Sequence, residues 1–157
     1  MASTVDIAGA LAAIEKRLTD NWTTTQVVIF GTDPAGDPEN QWPPTNAAGQ
    51  QVEWVFCELI DINAEIVAFG TPGNQTVRDW GLIKLHVFYR KGGGNTLARS
   101  HATALGELFR QQKLFDTDPT AYVRTGTPRV GQGDLVPEDG NQESVSCTVP
   151  YEFFHRA

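Results

Sequence analysis

The chain has 157 residues, of which 40% are hydrophobic and 20% charged, enough for a single domain over 1–157 with a real apolar core. A formal charge of −7 argues against a surface built to grip nucleic acid, which needs clustered Lys and Arg, though DNA could slide past such a surface. No apolar run reaches about 18 residues, and the start MASTVDIAGALAAIEKRL lacks a basic segment, so neither a membrane span nor a secretory leader is expected.

Ile7, Leu11, Ile14 and Leu18 recur at helical spacing and predict a first helix, capped by Ser3 or Thr4 and running to about Thr19. So short an amphipathic helix needs another layer to lie on, and Trp22 is placed to seal its end. Residues 26–30 (QVVIF) read as a short strand. Residues 31–51 are rich in Pro, Gly, Asn and Asp and show no period, which predicts a long surface loop. Trp42 ahead of Pro43 and Pro44 points to an ordered loop that touches a partner.

Residues 52–60 (VEWVFCELI) are apolar on both faces, with Val55, Cys57 and Leu59 on one and Val52, Trp54, Phe56 and Ile60 on the other. A strand of that kind is covered on both sides of its sheet or meets a neighbouring subunit. Residues 64–69 read as a second strand and 70–76 (GTPGNQT) as a turn, so 64–90 forms a long hairpin. In its return strand Ile83, Leu85, Val87 and Tyr89 alternate with Leu82, Lys84, His86, Phe88 and Arg90. The glycines at 92–94 end it, Asn95-Thr96 offers a cap, and a second amphipathic helix runs from Leu97 to about Gln112. Leu114-Phe115 closes the packing. Residues 122–130 form a strand interrupted by Gly126 and Pro128, and 131–142 a second long polar loop. The closing strand, 143–155, turns Val145, Cys147, Val149, Tyr151 and Phe153 one way and Ser146, Thr148 and Glu152 the other. Pro150 within it suggests an edge or a bulge. This order predicts an α+β fold, a mainly antiparallel sheet with two helices packed on one face.

Chemistry is sparse. RKGGGNTLA lies where phosphates are cradled, between strand and helix, but lacks both the spaced glycines of a dinucleotide fingerprint and the Gly-Lys-Ser/Thr of a P-loop. No pair among His86, His101 and His155 has metal-ligand spacing. His86 points away from the apolar side of its strand, which predicts a solvated or interfacial side chain. Ser100-His101 has no glycine elbow. Cys57 and Cys147 read as buried thiols, with a disulfide or a metal role as the alternative. The carboxylates, Asp6, Glu58, Asp61, Glu65 and Glu107 among them, form no facing pair. No catalytic residue, cofactor or metal site is expected.

The chain resembles the tail terminator, or tail completion, proteins of long-tailed bacteriophages, including the minor tail family with that role. The likeness lies in EWVFCEL (53–59), GLIKLHVFYRKGGG (81–94) running into ALGELF (104–109), PRVGQG (128–133) and SCTVPYEF (146–153). It implies a structural protein of the virion, assembled in the host cytoplasm, that forms a homohexameric ring at the end of the tail tube. Such a ring stops tube polymerisation and offers the head–tail joining surface. Its partners would be other copies of itself, the tail tube protein and the head–tail connector, with DNA passing through the lumen without specific binding and no membrane involved. Subunit or tube contacts would come from loops 31–51 and 131–142 and the hairpin tip 70–76, with Trp42, Trp54, Phe56, Pro72, Asn74 and Leu135 as candidates. The alternatives are a related connector or adaptor protein, an enzyme holding a phosphorylated ligand at the Gly92–Asn95 turn, and a monomeric binding domain.

Overall fold

The computed structural model describes residues 6–31, 48–50, 52–90, 92, 94–118, 121–132 and 142–156. In chain order these form α1 (Ile7–Asn21), β1 (Gln26–Ile29), β2 (Trp54–Ala68), β3 (Thr76–Arg90), α2 (Thr96–Phe109), β4 (Lys113–Asp118), β5 (Ala121–Thr125), β6 (Arg129–Gln132) and β7 (Gln142–Arg156). The strands make one seven-stranded sheet, ordered β1-β2-β3-β7-β5-β4, with β6 also on β7. β1 runs parallel to β2 and every other pairing is antiparallel. The fold is α+β, as the alternation of strand and helix patterns predicts.

Both helices lie on one face. Ala10, Ile14, Leu18 and Trp22 of the first helical segment and Ala98, Ala102, Leu105 and Phe109 of α2 close over Val55, Cys57, Leu85, Val87, Cys147, Val149 and Phe153. These strand residues are the inward half of the period-2 pattern, so one alternation supplies the sheet side of the core. Arg17 Nε donates to the Leu108 carbonyl at 2.7 Å and Trp22 meets His101 edge-on at 5.6 Å, tying the helices together. The cap of α1 is Asp6, whose carboxylate accepts from Gly9 N at 2.8 Å, and the helix runs on to Asn21. Ser3 and Thr4 lie outside the described residues. Trp22 seals the far end as expected, its amide donating to the Leu18 carbonyl.

The strands depart from the sequence reading in three places. The two strands read over 52–60 and 64–69 are one 15-residue strand, β2, which begins at Trp54 and ends at Ala68. Register shifts between Asp61 and Asn63 and between Ile66 and Ala68 each place an extra residue in β2, so the alternation breaks while the strand continues. The interrupted strand at 122–130 is two strands, β5 and β6, which pair with successive parts of β7. β7 is accordingly interior, not an edge. Pro150 fits there because it faces the gap between β5 and β6, where only the Gly126 amide reaches across, donating to the Pro150 carbonyl at 2.8 Å. Finally, 113–118 forms the edge strand β4, whose irregular register around 114–118 and left-handed Phe115 (φ 54°) hide any alternation.

Candidate assembly interface

The face of the sheet opposite the helices carries a second set of side chains. Trp54 and Phe88 sit directly across β2 and β3 and stack at 4.3 Å, and Val28 and Phe56 pack with them. Next to this cluster, His86 is fully buried. Its Nδ1 lies 2.6 Å from Ser146 Oγ and its Nε2 2.8 Å from Glu58 Oε1, so a polar row crosses β7, β3 and β2. The solvated or interfacial His86 of the sequence reading is therefore corrected. The aromatic rings of Phe56 and Phe88 flank the imidazole at 6.3 and 6.5 Å, and both of its nitrogens find partners within the chain. Sequence spacing could not show this, because Glu58 and Ser146 are 28 and 60 residues away. Chemically the row brings a serine, an imidazole and a carboxylate together, yet Ser146 is buried as well. What the row does in the fold is satisfy polar groups where three strands meet.

Further along the same face, charges alternate across four strands. Glu65 pairs with Arg78, Arg78 Nη1 lies 3.1 Å from Glu152 Oε1, and Arg124 Nη2 lies 3.6 Å from Glu152 Oε2. On the helix side of the hairpin base, His155 Nε2 meets Asp79 Oδ2 at 2.6 Å and its ring stacks on Phe153. Burial pushes the Tyr151 phenol up to about 12, with Asp61 and Asp79 adding to the effect.

Beyond these rows the sheet narrows to the β2–β3 hairpin. Every residue from Asp61 to Gly70 is exposed. Among them are Ile62, Ile66, Val67 and Phe69, the last 99% exposed. The pairing of β1 stops at Cys57, with one further bond from Phe30 N to the Cys57 carbonyl. Past that point the outer edge of β2 has no strand beside it among the described residues, and Phe30 itself is 71% exposed. Scattered exposed apolar residues need no explanation. A run of them on a bare strand edge is a template for contact with another chain.

Two shallow grooves lie elsewhere on the surface. One, of about 180 Å³, lies over the gap beside Pro150 and is lined by Arg124, Thr125, Gly126, Pro150 and Glu152. The other, of about 220 Å³, lies between α2 and β6 and is lined by Arg99, Val130, Gly131 and Val145. Both fall short of the roughly 300 Å³ at which small-molecule sites begin. No cluster of three or more His, Cys, Asp and Glu among the described residues could hold a metal ion. No helix among them is long and apolar enough to cross a membrane.

The candidate contact residues are thus dispersed. Pro72 and Asn74 lie exposed in the hairpin turn, Asn74 accepting from Arg156 Nη1 at 2.9 Å. Trp54 is only 8% exposed and belongs to the chain's own aromatic cluster, with Phe56 half-buried beside it. Trp42 and Leu135 lie outside the described residues. At the Gly92–Asn95 turn, Gly92 and Gly94 take positive φ, which accounts for glycine there by backbone shape alone. Cys57 and Cys147 are free, buried thiols. The sequence reading missed Ile62, Ile66, Val67 and Phe69 as surface; the signal for them was a strand of apolar residues next to a Gly-Thr-Pro-Gly turn with no helix pattern left to cover it.

No family profile matches the chain, and neither does any curated protein. A solved structure without a functional description is similar, with a TM-score of 0.56 and 19% identity over 91% of this chain and 92% of that one. At that identity the likeness concerns the fold alone.

Proposed function

We propose that this chain is a structural assembly protein, a ring-forming tail terminator of a long-tailed bacteriophage that caps the tail tube and offers the head–tail joining surface. The observation that carries the reading is the β2–β3 hairpin, where Ile62, Ile66, Val67 and the adjoining Phe69 are exposed and no strand lies beside the outer edge of β2 past Cys57 among the described residues. A chain that leaves this much apolar strand uncovered completes its burial against other chains, and identical subunits joined head to tail close into rings when their rotation permits. The sequence likeness to tail terminators points the same way. In this reading DNA passes the ring without being held, which an acidic chain favours by repulsion.

The test is assembly. Purified protein should show rings by negative-stain microscopy and a hexamer mass by light scattering. A phage lacking the gene should make tails of uncontrolled length that fail to join heads. A strict monomer at high concentration, together with normal joined tails in the deletion, would refute the proposal.

A further inference from the structure

The sheet face away from the helices is sorted by charge. Side chains alternate along each strand, so register assigns each strand residue to one face. Arg78, Lys84 and Arg90 of β3 fall on the outer face with His86 and Phe88. Arg124 opposite Glu152, Lys113 opposite Arg124, Arg129 opposite Thr148 and Arg156 at the end of β7 fall there too. No Lys or Arg of the described strands takes a helix-side position, whereas Asp61, Asp79 and Glu143 do. The outer-face carboxylates are Glu58, Glu65 and Glu152. Ion pairs such as Arg78 with Glu65 and Glu152 leave the sum unchanged: seven cations against three carboxylates give the face +4. The whole chain carries −7, so everything outside this face sums to −11. Between the charges lies carbon, with Ile60, Leu82, Tyr122 and Phe154 half-buried and Pro150 exposed.

We infer that the outer sheet face of one copy docks on the acidic remainder of a second copy of this chain. The chain itself is the complementary surface, since a +4 face and a −11 remainder attract. Two such faces repel each other, so the contact joins different surfaces, the heterologous kind that builds rings. Nucleic acid fits less well. A phosphate backbone is anionic throughout and would meet Glu152, which stands between Arg78 and Arg124, while a protein surface of mixed sign need not. The inference rests on the ring-forming reading above and adds what draws the copies together.

The test is self-association followed by light scattering. Raising sodium chloride from about 0.1 M to about 1 M shortens the screening length from about 10 Å to about 3 Å, and association of the unaltered chain should weaken about tenfold or more. Arg124→Glu with Arg129→Glu should weaken it similarly at low salt and keep the melting temperature, both side chains being exposed. Lys16→Glu with Arg110→Glu makes the same charge change on the helices, where both cations sit in exposed pairs, and should not weaken association. Rings that form equally well in high salt and in the Arg124/Arg129 variant would overturn the docking and leave the ring reading standing. A variant that melts lower yet associates normally would mean the chain covers this face itself, and would overturn it as well. So would a variant that associates normally but loses a DNA duplex held by the unaltered chain. The salt series uses the unaltered chain, so it decides the matter even if the variant fails to fold. If the unaltered chain stays monomeric at every concentration and salt, both readings fail together.

Discussion

Replacing Gly81 by alanine should destabilise the protein, although glycine to alanine in a strand ordinarily does the reverse. Gly81 is buried in β3 opposite the register shift of β2, and the Ile60 carbonyl turns directly toward it. A Cβ there would fall within contact radius of the Ile60 oxygen and lie 2.8 Å from the Tyr151 hydroxyl. The first neighbour is backbone, and Tyr151 is itself fully enclosed, so neither can swing aside. The unfolded chain would lose entropy worth about 0.4–1 kcal/mol in favour of folding. Overpacking costs about 1–3 kcal/mol and more where backbone must move, so the strain wins by about 2 kcal/mol. With a urea dependence of about 1–3 kcal/mol per molar, the unfolding midpoint should fall by roughly 1 M. Gly131→Ala is the matched control, because none of the described residues stands within 4 Å of its Cβ position, and its midpoint should barely move. Equal effects at the two positions, or a stabilised Gly81→Ala, would refute the argument that the bulge closes on Gly81.

Leu105→Ala empties a fully buried site between α2 and the sheet and should cost about 2–5 kcal/mol in a denaturant titration. Ser146→Ala strips His86 Nδ1 of its partner inside the sheet and should cost about 1–3 kcal/mol, measured in the same way. Alkaline pH should also weaken the fold. Burial pushes the Cys57 thiol up to about 12 and the Cys147 thiol to about 11, and the Tyr151 phenol stands near 12. The folded chain thus holds these protons after the unfolded chain has released them. The stability owed to these groups is constant below about pH 9 and is lost as the pH climbs toward 12, which unfolding midpoints across that range would track. A thiol reagent at pH 8 should correspondingly label neither cysteine until denaturant is added.

The helix-facing half of the sheet could be read directly from the sequence, because burial there follows the local period. Val145, Cys147, Val149, Tyr151 and Phe153 alternate without a break, and Ile14 and Leu18 keep helical spacing. The other face could not be read this way. His86 looks solvated when read beside Lys84 and Arg90, and only the pairing of β3 with both β2 and β7 brings Glu58 and Ser146 to its ring. Trp54 looks like a free anchor until Phe88 is placed across from it. The hairpin was legible as a hairpin, but its exposure depends on where the helices stop covering the sheet, which no local pattern states. Pro150 shows the same limit: proline argues for an edge, and here it sits in an interior strand facing a gap between two short neighbours.

The account turns on whether the bare hairpin edge is covered by further copies of the chain. Light scattering on the purified protein, over a wide concentration range and with Phe69→Asp alongside, tests that most directly. The account predicts a closed oligomer of hexamer mass that dissociates toward monomer in the variant. A monomer at every concentration for both proteins would contradict it.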